Sequence, residues 1–166
     1  LIISESKDTY WSKTLKEERQ TARDNHARDR WWEHYWPRPE MRSKIERLSR
    51  YVVVAETAQH RIFIWLRHPI VPDKNLIVFA RDDDTFFGVI HSKIHRVWSL
   101  SIGSALSDRP RYTSSTTFET FPFPEGLMPN IPAADYADDP HAQRIAAAAA
   151  RLNTLRENWL NPPDLV

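Results

Sequence analysis

The hydrophobic pattern changes period in the middle of the chain, and that change restricts the fold more than any other feature. Tyr51-Val52-Val53-Val54 and Ile62-Phe63-Ile64-Trp65-Leu66 are β-branched and aromatic runs separated by the polar stretch Glu56 to Arg61. Runs of this type, bounded by turn residues, form strands, so the first two predict a hairpin or two adjacent strands. A third run, Leu76 to Ala80, follows the turn-forming Pro72-Asp73-Lys74-Asn75. Beyond it the spacing becomes helical. Phe86, Phe87, Ile90, Ile94, Val97 and Trp98 recur at helical intervals and predict a helix from about Phe86 to Leu100. Asp82-Asp83-Asp84-Thr85 offers it N-cap carboxylates, and Gly103 closes the helical region.

The flanks complete the expected architecture. Residues 7–30 are nearly all polar, with Tyr10, Trp11, Leu15 and Ala22 among the few apolar positions, which predicts either a solvated helix or one leaning on a neighbour. Trp31, Trp32, Tyr35 and Trp36 precede Pro37-Arg38-Pro39, after which Glu40 to Leu48 reads as a short helix with Met41, Ile45 and Leu48 on one stripe. Ser104 to Arg111 reads as a polar loop, and Tyr112 to Pro124 as strand-forming residues closed by two prolines. From Gly126 to Pro140 the chain is punctuated by Pro and Asp and reads as irregular. His141 to Leu160 predicts an amphipathic packing helix with Ile145, Ala148, Leu152, Leu155 and Trp159 as its stripe. The expected class is therefore α+β, a small and mostly antiparallel sheet with a central helix, flanked by N- and C-terminal helices. Its expected parts are an N-terminal helical and aromatic connector over 1–49, a core over 50–124, and a linker with a packing helix over 125–166.

Composition removes whole classes of function. The chain has 166 residues and no Cys, which excludes a disulfide scaffold, a Cys-ligated zinc module and a thiol nucleophile. Its three glycines, Gly88, Gly103 and Gly126, form neither a dinucleotide-binding turn nor a phosphate loop. No apolar run approaches the roughly 20 residues of a membrane helix. A net charge of +1 argues against a uniformly basic nucleic-acid binder, but that total hides a gradient. Basic residues exceed acidic ones by three over 1–50 and by one over 51–124, and acidic residues exceed basic ones by three over 125–166. Leu1 is not an initiator Met, and the polar residues after Ile3 do not form a signal sequence, so the chain reads as a piece of a longer protein.

Several constellations could carry chemistry. His91 and His95 have the i, i+4 spacing that lets two imidazoles share a metal, with Asp82 to Asp84 upstream. No Glu follows His91, and the carboxylates serve better as helix caps, so a helix face turned to polar partners or phosphate is the preferred reading. Pro72-Asp73-Lys74 starts a nuclease-like pattern that no downstream Glu-x-Lys completes, which favours a turn. Asn161-Pro162-Pro163 resembles an adenine-binding motif but lacks the following aromatic residue, and it reads as a helix stop. The remaining signal is a pair of polar loops. Gln59, His60 and Arg61 lie in one, and Ser107, Asp108, Arg109 and Arg111 in the other. These are side-chain types that read base edges, Arg to guanine, Gln to adenine and Asp to the cytosine amine.

An ordered set of blocks gives these loops a context. Arg50-Tyr51-Val52-Val53-Val54, His60-Arg61-Ile62-Phe63, Phe86-Phe87-Gly88-Val89-Ile90-His91-Ser92, Trp98, Arg111-Tyr112-Thr113 and Thr117-Phe118-Glu119-Thr120-Phe121-Pro122-Phe123-Pro124 occur in that order. Trp31-Trp32 and Pro37-Arg38-Pro39-Glu40-Met41-Arg42 precede them. Together, over about residues 30 to 124, they resemble the target recognition domain of MmeI-like (type IIL) restriction-modification enzymes and related adenine-specific DNA methyltransferases. The resemblance implies a parent enzyme that methylates the N6 amine of adenine with S-adenosylmethionine, bound in an upstream Rossmann-like domain. For this fragment it implies sequence reading without catalytic, cofactor or metal residues, with double-stranded DNA and the upstream methyltransferase domain of the same chain as partners, no membrane, and a cytoplasmic location. The family's specificity positions match the two loops, which makes Thr57, Gln59, His60, Arg61, Ser104, Ser107, Asp108, Arg109 and Arg111 the expected DNA-binding residues. Two other classes stay open at this point. One is a metal-dependent hydrolase or nuclease using His91, His95 and one of Asp82 to Asp84; the other is a protein-interaction module docking through Trp31, Trp32, Tyr35 and Trp36.

Overall fold

The run Tyr51-Val52-Val53-Val54 becomes β1 (Arg50–Ala55), and it is apolar at consecutive positions because both of its faces are covered. A computed structural model describes residues 16–21, 25–29, 38–106 and 109–162. β2 (Phe63–Arg67) and β3 (Leu76–Phe79) flank β1 in the order β2-β1-β3, both antiparallel to it, with Val54 opposite Phe63 and Val53 opposite Val78. On one face Val52 and Val54 join Phe63, Phe79, Phe86, Phe87, Ile90, Tyr112 and Ala149. On the other, Tyr51 and Val53 pack on Ile45, with Met41 and Leu48 beside them. Burying a side chain of this size stabilises by about 1.5–3 kcal/mol, so a polar residue on either face of β1 would be felt.

By its internal packing the chain divides into two units, Leu1–Glu40 and Met41–Val166. The described part of the first holds helical segments at residues 16–20 and Asn25–Asp29. Trp31, Trp32, Tyr35 and Trp36 lie outside the described residues. The expected helix after Pro39 forms as α1 (Pro39–Ile45) and stops short of Leu48, which still packs with it against the sheet.

The central helix forms, but as two. α2 (Asp84–His91) is capped by Asp83, whose carboxylate accepts the Phe86 N–H at 2.7 Å, as the acidic run predicts. Ser92 takes an extended conformation and ends α2. Its hydroxyl accepts the His95 N–H at 3.1 Å, which starts α3 (Lys93–Ile102). The break rotates the second half. Ile94 and Val97, expected inside, are 73% and 53% exposed, whereas His95 and Ser99 are fully buried. The exposed apolar side of α3 borders a groove of about 480 Å³ with Phe121 and Pro122 on its other wall.

Two further expectations are corrected. Tyr112 to Pro124 is not a strand: Ser114–Phe118 forms a π-helical turn, with Phe118 N–H donating to Thr113 O at 3.3 Å and Glu119 N–H to Ser114 O at 2.9 Å. Strand alternation would put Phe118 opposite Phe121 and Phe123, yet all three rings pack together, Phe118 on Phe123 at 5.3 Å and Phe121 on Phe123 at 4.9 Å. The C-terminal helix α4 (Pro140–Leu160) starts on Asp139 as a capped helix with Pro at its first position, and it stops at Asn161-Pro162 as expected. Of its expected stripe only Ile145 packs inward, and Ala148 is exposed with the rest. Ala142, Ala149 and Ile145 face the core, while Leu152, Leu155 and Trp159 are exposed, Trp159 by 78%. α2 and α4 approach closely at Gly88, where a Cβ would stand 2.6 Å from Ile145 Cγ2 and 3.1 Å from Ala149 Cβ, so this part of the inner face takes Ile145 and the small Ala149. Farther along, Arg156 of α4 donates to the Phe63 carbonyl at 2.8 Å and covers part of the free edge of β2.

Candidate nucleic-acid interface

The two polar loops, distant in sequence, share one rim of the molecule. The first, residues 56–62, links β1 to β2. In the second, residues 104–111, Ala105–Leu106 (β4) and Arg109–Pro110 (β5) pair as short antiparallel strands, which corrects the expectation of a polar loop. Thr57 bridges Arg111 across the two loops. Ala58 N–H donates to Pro110 O at 3.4 Å and Tyr112 N–H to Glu56 O at 2.6 Å, while Arg111 N–H returns to Ser104 O at 2.7 Å. Gly103 makes this approach feasible, because a Cβ there would lie 2.8 Å from Arg111 O.

Most of the expected site residues sit on the open side of this rim. Gln59, His60, Ser104 and Arg109 are exposed and Thr57 is half-buried. Ser107 and Asp108 lie outside the described residues. Arg111 is exposed and ion-paired, with its guanidinium 2.7 Å and 2.5 Å from Glu56 Oε1. Such a surface pair is worth at most about 1 kcal/mol, so the arginine can exchange partners. Arg61 differs from all of these. It is 5% exposed, and it donates to Ala55 O and to Pro110 O, each at 3.0 Å, with its guanidinium 5.2 Å from the centre of the Tyr112 ring.

Below the rim, Tyr112 hydrogen-bonds to His95 Nε2 at 3.2 Å, and His95 Nδ1 lies 2.7 Å from Ile90 O. A carbonyl only accepts, so Nδ1 carries the proton and Nε2 accepts from the tyrosine hydroxyl. Burial holds the imidazole neutral, pushing its pKa down to about 4 against the backbone bond that favours protonation, and burial raises that of Tyr112. His91 is lowered too, by burial and then by Arg156. Both ring nitrogens of His95 are thus occupied within the core, and the histidine pair does not form the polar or phosphate-facing helix surface expected of it.

Two carboxylates of the acidic run are equally committed, while Asp82 is exposed. Asp83 caps α2 and pairs with Arg81 at 2.9 Å, and Asp84 pairs with Arg50 at 3.0 Å. Among the described residues no group of three or more His, Cys, Asp or Glu could hold a metal ion. Asp73 serves its turn as expected, accepting from Lys74 N–H at 2.5 Å and Asn75 Nδ2 at 2.7 Å. Sequence reasoning missed Glu56, Tyr112 and Arg81. Arg81 binds the carbonyls of Pro129 and Ile131, both at 2.9 Å, and ties residues 129–136 to the start of α2. No spacing signals such a side-chain-to-carbonyl brace. Tyr112, by contrast, was an aromatic residue beside the loop and could have been flagged as its floor.

A three-stranded antiparallel sheet, backed by helices and carrying two bridged polar loops on one rim, defines a small α+β domain with a presentation surface. The model of one family, described as MmeI, target recognition domain, matches residues 12–125, and the chain belongs to that family. A solved structure of the type IIL restriction-modification enzyme MmeI in complex with DNA has the same fold, with a TM-score of 0.66 and 18% identity. The match covers 93% of this chain and 20% of that chain, so the domain spans a fifth of that enzyme's length. No curated protein matches. Among the described residues no helix is long and apolar enough to cross a membrane.

Proposed function

We propose that this chain is the DNA-reading domain of a larger S-adenosylmethionine-dependent adenine-N6 DNA methyltransferase, acting in restriction-modification or another phage-defence system in the cytoplasm. The observation that carries the reading is the union of the two polar loops on one rim of a domain of this family. Exposed Gln59, His60 and Arg109, with Thr57, Ser104 and Arg111 beside them, supply donors and acceptors suited to base edges in a major groove. Ser107 and Asp108 belong to the same proposed set by their position in the second loop. Chemistry falls to the upstream methyltransferase domain, which binds the cofactor and receives the flipped adenine, so the fragment itself is no enzyme. Residues 50–124 form the recognition core in this reading, with 1–49 as connector and 125–166 as linker and packing helix. A net charge of +1 gives the fragment little electrostatic hold on phosphate, so its affinity depends on the rest of the parent enzyme.

The test is a map of methylated adenines in cells carrying the parent gene. Arg109→Ala is expected to change the preferred base at one position of the methylated motif, a loss of about 1–3 kcal/mol in discrimination. An unchanged motif at full activity, after substitution of both Gln59 and Arg109, contradicts base reading by these loops.

A further inference from the structure

We propose that Arg61 is a positioning residue that locks the two loops into one reading unit and does not itself contact a base. This inference rests on the DNA-reading function proposed above. A guanidinium is planar and presents a fixed fork of donors. Here NH1 takes the carbonyl of Ala55, at the root of the first loop, and NH2 takes that of Pro110, in β5 of the second, each at 3.0 Å. The two carbonyls are 55 positions apart in sequence, and one side chain satisfies both. Tyr112 forms the floor, its ring facing the guanidinium, its N–H bound to Glu56 O and its hydroxyl to the buried His95. To reach a base edge, Arg61 would have to leave the interior, taking its guanidinium donors from both carbonyls and leaving Pro110 O only the longer bond from Ala58 N–H at 3.4 Å, a loss that buried polar groups do not tolerate cheaply. Lysine keeps the charge but cannot span two carbonyls with the same rigid geometry. The two loops should therefore move together, and substitutions in one should alter what the other reads.

Amide hydrogen exchange on the 166-residue chain tests the coupling without DNA. In Arg61→Lys the amides of Ala58, Arg111 and Tyr112 are expected to exchange about tenfold faster together, with those of β1 unchanged. Acceleration in one loop alone, or in neither, overturns the proposal. If the variant loses its fold, the wild-type chain in low urea decides: the same three amides should open in one step with a common urea dependence, and separate openings overturn it. Methylation mapping adds a readout that mere stability does not move. Arg61→Lys in the parent enzyme should relax preference at the base pairs sensitive to Gln59→Ala and also at those sensitive to Arg109→Ala. A change at one base pair only, as for a direct base contact, overturns the positioning role. A wild-type enzyme whose motif ignores both loops defeats the DNA-reading function instead, and the exchange result then judges the locking of the loops by Arg61 by itself.

Discussion

Single residues under the rim carry two measurable consequences. At Gly103 a methyl group would meet backbone oxygens of Ser99 at 2.6 Å and Arg111 at 2.8 Å, and neither can rotate away as a side-chain tip could. Gly103→Ala is expected to cost about 1–3 kcal/mol, read as a lower urea midpoint, because the second loop must shift to admit it. His95 makes stability depend on pH. Its folded pKa of about 4 lies below the ordinary histidine value, so the unfolded chain binds the extra proton more readily. The stability is therefore complete above the unfolded value and is lost as pH falls toward the folded one. Between about pH 7.5 and about pH 5 the loss from this group is about 2 kcal/mol, and His91 adds to it in the same direction. Urea midpoints at both pH values check this, and His95→Gln should flatten the difference.

Among the elements, the three strands of the sheet match the expectation best and the helix faces least, while Tyr112 to Pro124 is no strand and the second loop holds two short ones. β1 was legible because a strand covered on both faces is apolar at every position, a pattern that needs no knowledge of its neighbours. The stripe of α4 was misjudged because large side chains mark a plausible buried face, but the packing partner decides which face is used. Close contact with α2 selects Ala149 and leaves Leu155 outside, 58% exposed. Leu155→Gln should thus change the melting free energy by less than about 0.5 kcal/mol, while Ala149→Leu should destabilise by about 1–3 kcal/mol. A larger effect at Leu155 than at Ala149 in thermal melts would return the helix to its expected orientation. The division of the central helix had a local signal, the N-cap residue Ser92, which six apolar residues at helical spacing outweighed.

For the molecule as a whole, the small net charge separates two kinds of contact. Lys74 and Lys93 are exposed. If they meet phosphate in the parent enzyme, Lys74→Ala and Lys93→Ala should each lower binding uniformly across DNA sequences and reduce the salt slope by about 1. Titrations at several salt concentrations, on matched and mismatched DNA, distinguish this from the sequence-dependent loss expected for Arg109→Ala. Equal losses on all sequences for Arg109→Ala would make it a phosphate contact.

The α+β class, the three apolar strands of the sheet, the acidic cap of α2, the stop of α4 and the family of the domain are legible in the letters of the chain. These depend on periodicity, capping chemistry and ordered blocks, all of them local properties of a chain. It takes the folded chain to show that the two polar loops meet, that Arg61 is buried while Arg109 is exposed, and that His95 is a core residue. Each of those outcomes turns on a partner 17 to 55 positions away, Tyr112 for His95 and Glu56 for Arg111 among them. An arginine in a loop has the same letters whether it meets water, a base or two backbone carbonyls. Which of these it meets is set by the desolvation cost and the hydrogen bonds available where the fold delivers it.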